Sequence, residues 1–474
     1  MRTLPAVIVV LACILTSCGT ETAPPNIVLI LADDLGYCDS ELYGCDTIPT
    51  PNIQRIADEG VLFTAGYVTS PVCSPSRAGL LTGRYQQRYG HEFLPSNDSA
   101  GLPPGEATLA DAMRQAGYTT GMVGKWHLGD VEAINPTHRG FDEFFGVVGW
   151  GSDYIDPTRE DVRSSRPGKK MAKTSKTAPA ATWGGRGGVN AVRRGTRVVE
   201  EVDYLTDAFT RESVAFIDNH SSRPFFLFVP YTAVHQPLQV TQNYYDRFPH
   251  IDDESTRIYA AMVSSLDDSV GAILDALERN DLEENTMVIF LSDNGAGVAD
   301  YCSNDPLRLG KQTLFEGGVR VPFSMKWPGQ IPGGMTYEHP VSALDIFPTA
   351  MAAAGLSEPS ANKTGDGVDL TPYLTGSIGD HPHDALYWRS GANWAIREGN
   401  WKLIHAGERD WLYDLAEDIG EQKNLALDHP EIVERLKGAF DLWNNEMVDP
   451  LWPPVGAKTS PAFSVDDVAI EWPV

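Results

Sequence analysis

Positive charge is scarce in this chain. Of its 474 residues, 37 are lysine or arginine and 64 are aspartate or glutamate, which gives a formal net charge of −27 at pH 7. So acidic a protein is disfavoured as a nonspecific ligand of nucleic acid or anionic lipid, and we expect no nucleic-acid partner. The length allows a large core and two domains, and the composition is that of an ordinary soluble globular protein.

The N-terminal apolar run is short as well. Residues 4–15 follow Arg2 and are too few to span a bilayer as a stable anchor. The run ends in Leu-Thr-Ser-Cys-Gly, which resembles a bacterial lipobox in which Cys18 becomes the lipid-bearing first residue of the mature chain. We expect residues 1–17 to be a lipoprotein-type signal peptide and residues 18–25 a linker. The mature protein would then contact the membrane only through the lipid on Cys18 and would lie in the periplasm or at the cell surface. The alternative is an ordinary secretory signal and a soluble periplasmic or secreted protein.

Cysteine is rare too, with six residues in all. Two lie in or at the end of the signal segment, and four remain: Cys38, Cys45, Cys73 and Cys302. An exported protein so poor in cysteine does not depend on a disulfide framework. Cys38 and Cys45 are near enough in sequence to close one small loop, and the sequence leaves open whether they are bonded.

Three continuous apolar runs predict strands that are buried on both faces, as in a parallel sheet. They cover residues 26–32, 225–229 and 286–291. Helical patterns lie between them at residues 107–116, 206–219 and 257–278. The alternation predicts an α/β domain over residues 26–375, with a large mixed, mostly parallel sheet flanked by helices on both faces.

Residues 376–474 predict a smaller C-terminal subdomain. Four short strands divided by Gly/Asn turns are typical of an antiparallel sheet, at residues 386–389, 394–397, 401–405 and 411–415. An amphipathic helix follows at residues 431–446. Residues 157–198 are different again, because they contain eleven basic and two acidic side chains in an otherwise acidic protein. We expect this basic stretch to be an insertion loop in the main domain.

Acidic pairs follow two of the predicted strands. Asp33 and Asp34 come directly after the first strand, and Asp293 and Asn294 come after the strand that ends at residue 291. In open α/β sheets, ligands bind outside the carboxyl ends of the strands. Three carboxylates and one amide oxygen would make an all-oxygen site for a hard cation, Ca²⁺ or Mg²⁺. Either pair alone is adequately explained as a turn sequence, but the two pairs together favour the metal site.

Cys73 lies in Val-Cys-Ser-Pro-Ser-Arg, before a run of small residues that predicts a helix. Pro75 presets a turn and can open a helix. A helix N-terminus stabilises anionic oxygens, and Arg77 adds a fixed positive fork. The sequence therefore predicts an anion-binding corner around Cys73.

Four more polar residues stand beside predicted strand ends or glycine turns. Lys125 and His127 belong to Gly-Lys-Trp-His-Leu-Gly, His235 follows the strand at residues 225–229, and Lys311 precedes Glu-Gly-Gly. Each alone has an ordinary interpretation, since isolated histidines are usually structural and lone lysines are usually solvated charges. Only the four residues taken together indicate a functional site.

In this order, the motifs resemble those of the formylglycine-dependent sulfatases, the arylsulfatase-like members of the alkaline phosphatase superfamily. Together with the N-terminal segment, the resemblance implies an exported bacterial polysaccharide sulfatase. Its most specific block is Cys73-x-Pro-Ser-Arg with the following Leu-Thr-Gly-Arg. Gly-Lys-Trp-His-Leu-Gly, Asp-Asn-Gly, Glu-Gly-Gly-x-Arg-Val-Pro and Arg-Gly-Phe-Asp-Glu-Phe-Phe-Gly accompany it, and the resemblance runs from Asn26 to about Leu425. The chain departs from the family at Val234, where a proline commonly precedes the histidine.

The resemblance implies that a maturation enzyme converts Cys73 to Cα-formylglycine (3-oxoalanine). A hydrated aldehyde carries two hydroxyls on one carbon. One takes the sulfuryl group, and the other allows sulfate to leave by collapse to the aldehyde, whereas an unmodified serine or cysteine would stay trapped as a stable ester. The resemblance also implies one Ca²⁺ per chain, with Mg²⁺ as the alternative. The implied ligands are Asp33, Asp34, Asp293, Asn294 and an oxygen of the modified residue 73.

The resemblance assigns the remaining polar residues as well. Arg77 and the ion would lower the pKa of the attacking hydroxyl and screen the approaching anion. Lys125 and His127 would contact the second hydroxyl, with His127 as the base. His235 and Lys311 would bind sulfate oxygens and protonate the leaving oxygen.

For the substrate we predict a sulfated carbohydrate outside the cytoplasm. Ser152 adds a polar contact in this prediction. Arg193 and Arg194 belong to the basic stretch, which we hypothesise to lie over the pocket mouth and bind neighbouring sulfates; the alternative is a solvated loop. One rival function is a phosphonate monoester or phosphodiester hydrolase of the same superfamily. Another is a noncatalytic glycan-binding protein, which is disfavoured because every expected site position is filled.

Mass spectrometry of the protein from its native host tests both predicted modifications. The peptide that contains residue 73 is expected to be lighter than its sequence mass by about 18 Da, since the thiol carbon becomes an aldehyde. The N-terminal peptide is expected to begin at Cys18 and to carry lipid. The peptide that contains Cys302 is the control, and its mass should be unchanged. An intact thiol at residue 73, or an N-terminus without lipid, would contradict the respective prediction.

Overall fold

The computed structural model of the chain describes residues 24–95, 101–165, 185–297, 299–356, 365–454 and 462–473. The predicted lipid-bearing Cys18 and the middle of the basic stretch, residues 166–184, lie outside the described residues. Within the part of the chain that is described, no helix combines the length and the apolar character needed to cross a membrane.

The strands of the described residues are numbered here in chain order. They are β1 Asn26–Ala32, β2 Val61–Phe63, β3 Gly66–Tyr67, β4 Thr119–Lys125, β5 Glu143–Val147, β6 Val162–Ser165, β7 Arg193–Arg194, β8 Arg197–Val198, β9 Phe225–Pro230, β10 Leu238–Thr241, β11 Thr286–Ser292, β12 Phe323–Lys326, β13 Met335–Tyr337, β14 Val341–Ser342, β15 Ala385–Ser390, β16 Asn393–Glu398, β17 Trp401–Ala406, β18 Arg409–Asp414, β19 Ala462–Val465 and β20 Val468–Glu471.

The α-helices are numbered in the same way. They are α1 Pro51–Asp58, α2 Cys73–Thr82, α3 Leu109–Gln115, α4 Leu205–His220, α5 Gln242–Tyr245, α6 Glu254–Arg279, α7 Glu316–Val319, α8 Ile346–Ala353, α9 Thr371–Leu374 and α10 Pro430–Asn444. Short 3₁₀ helices cover Glu41–Tyr43, Gln86–Tyr89, Glu132–Ile134, Pro136–His138, Gly188–Asn190, Glu283–Asn285 and Ala343–Asp345.

A ten-stranded sheet forms the centre of the main domain, in the order β13-β2-β12-β11-β1-β9-β4-β5-β7-β8. The five central strands, from β11 to β5, run parallel to one another. Strands β12 and β2 and the β7–β8 hairpin add antiparallel pairs at the two sides. The predicted mixed, mostly parallel sheet is confirmed.

Strand β1 shows why its sequence is a continuous apolar run. Every residue of the strand is buried, and alternate side chains enter two different cores. Ile27 and Leu29 pack with residues of α2, α3 and α8 on one face of the sheet, while Val28 and Ile30 pack with residues of α1, α4 and α6 on the other. Helices therefore cover both faces of the sheet, as predicted. A polar residue would be unfavourable at any position of β1, whichever face its side chain points to.

The predicted helices correspond to α3, α4 and α6, and capping side chains determine where two of them begin. Thr108 accepts a hydrogen bond from the Asp111 amide at 3.1 Å, and the Asp111 carboxylate accepts one from the Thr108 amide at 3.0 Å. This capping box makes α3 start after residue 108. Asp253 caps α6 through the Thr256 amide at 2.8 Å, so this helix begins earlier than the apolar pattern indicates.

The C-terminal subdomain is a four-stranded antiparallel sheet, in the order β15-β16-β17-β18, with α10 beside it. Ile396 and Leu403 are directly paired across β16 and β17, and both pack against Leu436 and Phe440 of α10. The opposite face of the sheet packs against residues of the main domain. The predicted antiparallel sheet and helix are confirmed. Elsewhere, Cys38 and Cys45 form the disulfide that the sequence left open.

A buried ion cluster joins the two parts of the chain. Lys402 of β17 has no exposed side-chain surface, and its Nζ lies 2.8 Å from Glu316 Oε1 and 3.1 Å from Glu421 Oε1. Glu421 Oε2 also accepts the Glu316 amide at 2.7 Å, and the Tyr67 hydroxyl donates to Glu316 Oε2 at 2.6 Å. Burial raises the pKa of Glu421 to about 7, against the opposing charge of Lys402. A single ammonium thus supports two buried carboxylates across the junction.

Replacement of the Lys402 ammonium should strongly destabilise the folded protein. Lys402→Met is expected to lower the free energy of unfolding by about 3–5 kcal/mol, since buried Glu421 loses its cation and buried Glu316 keeps only its ion pair with Arg320 at 3.1 Å. The matched control is Lys437→Met, which breaks a half-exposed pair with Asp410 at 2.6 Å and should cost less than about 1 kcal/mol. Chemical denaturation of both variants measures the difference. Equal losses in the two variants would contradict a special role for the cluster.

Candidate active site

The polar residues singled out in the sequence meet at one edge of the main sheet. They follow strands that run parallel, so the carboxyl ends of those strands bring them together. In strand order they are Asp293 and Asn294 after β11, Asp33 and Asp34 after β1, His235 after β9, and Lys125 and His127 at the end of β4.

Helix α2 begins at Cys73. Val72 before it is extended, with φ −136° and ψ 139°, and Pro75 falls in the first helical turn, where no intrahelical donor is needed. All ten residues of the helix are buried, so the thiol lies at a helix N-terminus inside the protein. Burial raises the pKa of the Cys73 thiol, against the opposing charges of Lys125 and Lys311. A buried, protonated thiol is a poor nucleophile.

Arg77, one turn further along α2, connects the helix to three strand ends. Its Nε donates to Asp293 Oδ2 at 2.8 Å, and its Nη1 donates to the Lys125 carbonyl oxygen at 2.7 Å. Its Nη2 lies 2.7 Å from Asp293 Oδ2 and 3.6 Å from Asp33 Oδ2. Although burial opposes the charge, the two carboxylates raise the pKa of Arg77. The guanidinium therefore fixes residue 73 relative to the acidic side chains.

The acidic cluster has the composition of a site for a hard cation. Asp33, Asp293 and Cys73 each offer a ligand atom, and these atoms lie within 4.8 Å of one another. Two buried oxygens, Asp33 Oδ1 and Asn294 Oδ1, have no hydrogen-bond partner. Burial and the charge of Asp33 raise the pKa of Asp293 to about 6. Because unpaired buried oxygens and crowded carboxylates are unfavourable, a divalent cation with oxygen ligands fits these residues.

Two lysines compensate the carboxylates that follow β1. Lys125 Nζ is fully buried and donates to Asp33 Oδ2 at 2.6 Å. Lys311 Nζ donates to both oxygens of Asp34, at 2.6 and 2.8 Å. Burial raises the pKa of Asp34, but the charge of Lys311 and the hydrogen bonds from Lys311 and Asn294 outweigh that effect and lower it well below its usual range. Asp34 is consequently an anion that orients Lys311.

The two histidines of the site are held neutral. Burial, followed by the charges of Lys125 and Arg77, lowers the pKa of His127 well below its usual range. Burial and the charge of Lys311 lower the pKa of His235 to about 3. His235 Nδ1 lies 2.6 Å from the Gln236 carbonyl oxygen, so this nitrogen carries the proton. His127 Nδ1 is buried and has no partner.

These groups line a cavity of about 510 Å³. Its polar end contains Asp34, Cys73, His127, His235 and Lys311. The other walls include residues that the sequence reasoning missed: Leu94, Trp150, Gln236, Tyr259, Tyr301, Gln312 and Phe463. Of these residues, only Gln236 could have been found from the sequence, because it is adjacent to His235. Isolated aromatic residues in loops have no sequence pattern that distinguishes a cavity wall from a core.

Three residues predicted to bind substrate are not in the cavity wall. Ser152 is buried and donates to the Asp153 carbonyl oxygen at 3.3 Å. Arg193 and Arg194 form β7, which pairs with β5 near the edge of the main sheet, and Arg194 forms an ion pair with Glu212 at 2.8 Å. Arg194 lines a separate cavity with Glu212. Neither arginine belongs to the described wall of the Cys73 cavity. The hypothesis that the basic stretch lies over the pocket mouth stays a prediction, since residues 166–184 lie outside the described residues.

Comparison with known proteins agrees with this geometry. The sequence model of the Sulfatase family matches residues 25–356. The chain belongs to the sulfatase family. A second family model, N-sulphoglucosamine sulphohydrolase, C-terminal, matches residues 308–441 of this sulfatase.

Curated relatives and a solved structure extend the similarity over most of the sulfatase. N-acetylgalactosamine-6-sulfatase of Canis lupus familiaris is 35% identical over 396 residues, which cover 80% of this chain and 71% of that protein. Human arylsulfatase A is 34% identical over 464 residues, covering 87% and 86% of the two chains. The structure of Ps i-CgsB in complex with k-i-k-neocarrahexaose aligns with a TM-score of 0.81 and 34% identity, over 90% of this chain and 94% of that one. The chain is therefore a sulfuric ester hydrolase.

We expect added Ca²⁺ to stabilise sulfatase from which a chelator has first removed bound metal ions. A ligand that binds only the folded state contributes about 2.7 kcal/mol at 100 times its Kd, so the Tm should rise as CaCl₂ is added. Asn294→Ala removes one unpaired oxygen without breaking an ion pair, and it should weaken this response. Asp305→Asn, at an exposed position, is the control and should respond like the wild type. A Tm that neither Ca²⁺ nor Mg²⁺ changes would contradict the metal site.

Proposed function

We propose that this sulfatase removes O-sulfate groups from a sulfated glycan, with Cys73 converted to formylglycine and one Ca²⁺ bound. The observation that carries the proposal is the meeting of Cys73, Lys311 and two neutral histidines at one end of a single cavity. The relatives support the class of substrate, because one is named an N-acetylgalactosamine-6-sulfatase and another was solved with an oligosaccharide, k-i-k-neocarrahexaose.

The acidic cluster is the site that we assign to the ion. Asp33, Asp34, Asp293 and Asn294 would hold it together with residue 73, and the two unpaired oxygens described above favour this assignment. When bound, Ca²⁺ supplies positive charge beside the sulfate and lowers the pKa of a hydroxyl on residue 73. Mg²⁺ is the alternative ion for the same oxygens.

Lys125, Arg77 and His127 would act on residue 73. Arg77 holds the N-terminal turn of α2 against Asp293, which keeps residue 73 at the polar end of the cavity. Lys125 places an ammonium beside Asp33 with no exposure to solvent, so its charge is little screened. His127 is neutral and can accept a proton from a hydroxyl of residue 73, which is the role of a general base.

Lys311 and His235 would bind the transferred group. Asp34 and the other acidic groups raise the pKa of Lys311 although burial opposes its charge, so the ammonium remains protonated and can contact a sulfate oxygen or the leaving oxygen. His235 offers Nε2 towards the same region, 3.7 Å from Asp34 Oδ2, while its Nδ1 is occupied by the Gln236 carbonyl. Lys311 would bind the anion by its charge. Because Nδ1 holds the single proton of the neutral His235 ring, Nε2 would donate to a sulfate oxygen only after it takes up a proton.

We also propose that the protein is exported and carries lipid on Cys18, and that a formylglycine-generating enzyme of the same host acts on it. The lipobox-like sequence before Cys18 supports the first part, and the Cys-x-Pro-Ser-Arg motif supports the second. The alternative location is the periplasm or the medium, without a lipid anchor. The mass measurements on the Cys18 and Cys73 peptides test both parts.

A comparison of 4-nitrophenyl sulfate with 4-nitrophenyl phosphate tests the reaction. We expect the higher kcat/KM for the sulfate, because the neutral histidines favour one negative charge over the two of a phosphate monoester at pH 7. Cys73→Ala should lower kcat by about 10⁴-fold or more, as the removal of a nucleophile does elsewhere. Asp305→Asn, at an exposed position outside the cavity wall, should leave kcat within about twofold on the general behaviour of peripheral substitutions.

A preference for the phosphate ester would favour a phosphonate monoester or phosphodiester hydrolase of the same superfamily instead. Turnover of neither ester, nor of any sulfated sugar, by protein that carries formylglycine would favour a noncatalytic glycan-binding protein.

A further inference from the structure

The C-terminal hairpin β19–β20 reaches the active-site cavity although it lies outside both matched family models, which end at residues 356 and 441. Phe463, in β19, is one of the residues that line the cavity containing Cys73 and Lys311. The family models therefore do not account for this part of the cavity wall.

The hairpin is firmly attached to the rest of the protein. Val465 and Ile470 are fully buried in the core that also contains Phe315 and Trp411, and Trp472, just after the hairpin, packs edge-on against Phe315 at a centroid distance of 6.3 Å. The strands pair in antiparallel register, with Phe463 beside Ile470. This packing holds β19 rigidly, as a binding wall requires.

Polar contacts add to that attachment. The Asn393 side-chain amide donates to the Glu471 carbonyl oxygen at 2.7 Å, and the Ser390 hydroxyl donates to the Pro473 carbonyl oxygen at 2.9 Å. At the turn, Asp466 accepts a hydrogen bond from Arg308 at 2.9 Å. The hairpin is thus tied both to the C-terminal sheet and to the segment that carries Lys311.

Phe463 differs from its neighbours on the same strand face. Side chains two residues apart point to one side, and Val465 on that side is completely buried, while Phe463 is only partly buried and belongs to the cavity wall. Trp150 is a second partly buried aromatic residue in that wall. Among the residues that the structure describes, those lining the cavity away from its polar end are uncharged.

We propose that the hairpin is a carbohydrate-recognition element, in which the Phe463 ring packs on the apolar face of the sugar ring next to the scissile sulfate. The inference rests on the proposed function and extends it. A pyranose presents C–H groups on its faces and hydroxyls at its rim, so an aromatic wall binds the face while the polar end of the cavity holds the sulfate. The uncharged walls suit a ring that carries no second charge.

Three variants and two probes test the inference. Phe463→Leu keeps an apolar side chain that packs the hairpin but removes the ring, and Phe463→Tyr restores the ring. Val468→Ala is the matched control, since Val468 packs the other strand of the hairpin against Gly407 and does not line the cavity. The probes are N-acetylgalactosamine 6-sulfate as a substrate and inorganic sulfate as a competitive inhibitor that occupies only the polar end.

Phe463→Leu is expected to raise KM for the sugar sulfate about tenfold, the effect of losing one ring-stacking contact, and to leave the Ki of sulfate unchanged. Phe463→Tyr and Val468→Ala should keep both constants near those of the wild type. Equal KM values for Phe463→Leu and the wild type would overturn this inference and leave the proposed function unaffected. A parallel change in KM and Ki would also overturn it, since the substitution would then have disturbed the sulfate site.

The same experiment separates this inference from the proposed function. If the wild type hydrolyses 4-nitrophenyl sulfate but neither N-acetylgalactosamine 6-sulfate nor a carrageenan hexasaccharide, the glycan substrate and the role of Phe463 are both wrong. If the wild type hydrolyses either sugar, the glycan substrate stands, and the KM of Phe463→Leu for that sugar decides the role of the hairpin.

Discussion

Charge balance at the carboxyl edge of the sheet is the constraint on which the site depends. Three carboxylates and three cations lie there in mutual contact: Asp33, Asp34, Asp293, Arg77, Lys125 and Lys311. An uncompensated charge in such a place costs several kcal/mol, so each of these side chains must stay where its partner is. Because the partners come from the ends of β1, β4 and β11, from α2 and from the segment before α7, their ion pairs fix five separate parts of the chain. Residue 73 is positioned as a consequence, since Arg77 holds the helix on which it lies.

A second buried ion cluster connects the segment that contains Lys311 to the C-terminal subdomain. Lys402 supports Glu316, which lies five residues after Lys311, and Glu421 binds the backbone amide of the same residue. Arg308, on the other side of Lys311, donates to Glu421 and to the hairpin residue Asp466. The subdomain is therefore more than a covering layer. It holds the segment that carries Lys311 from both sides, and it brings Phe463 to the cavity.

Local rules explain what could be predicted and where prediction stopped. The apolar run of β1 is continuous because both faces of the strand are buried, so its sequence identified the strand and the kind of sheet. Asp33 and Asp293 were recognisable because acidic residues directly after buried strands must lie at the ligand-binding edge. The contacts of Arg193 and Arg194 could not be predicted, because net charge along a stretch does not say where it folds. They pair with β5, and Arg194 contacts Glu212. Phe463 could not be predicted at all, since nothing in its neighbourhood in sequence relates it to Cys73.

The sequence by itself determined three central strands of the main sheet, the C-terminal antiparallel sheet, several helices and the family, because these depend on periodicity and on short motifs whose members are close in the chain. The tertiary structure decided which charges pair, which oxygens remain unpaired at the proposed metal site, and that burial lowers the pKa of both histidines. It also decided that the last hairpin forms part of the cavity wall. These properties depend on burial and on distances between residues that are far apart in sequence. Neither is expressed in the local order of the amino acids, and both arise only when the parallel strands bring their carboxyl ends together.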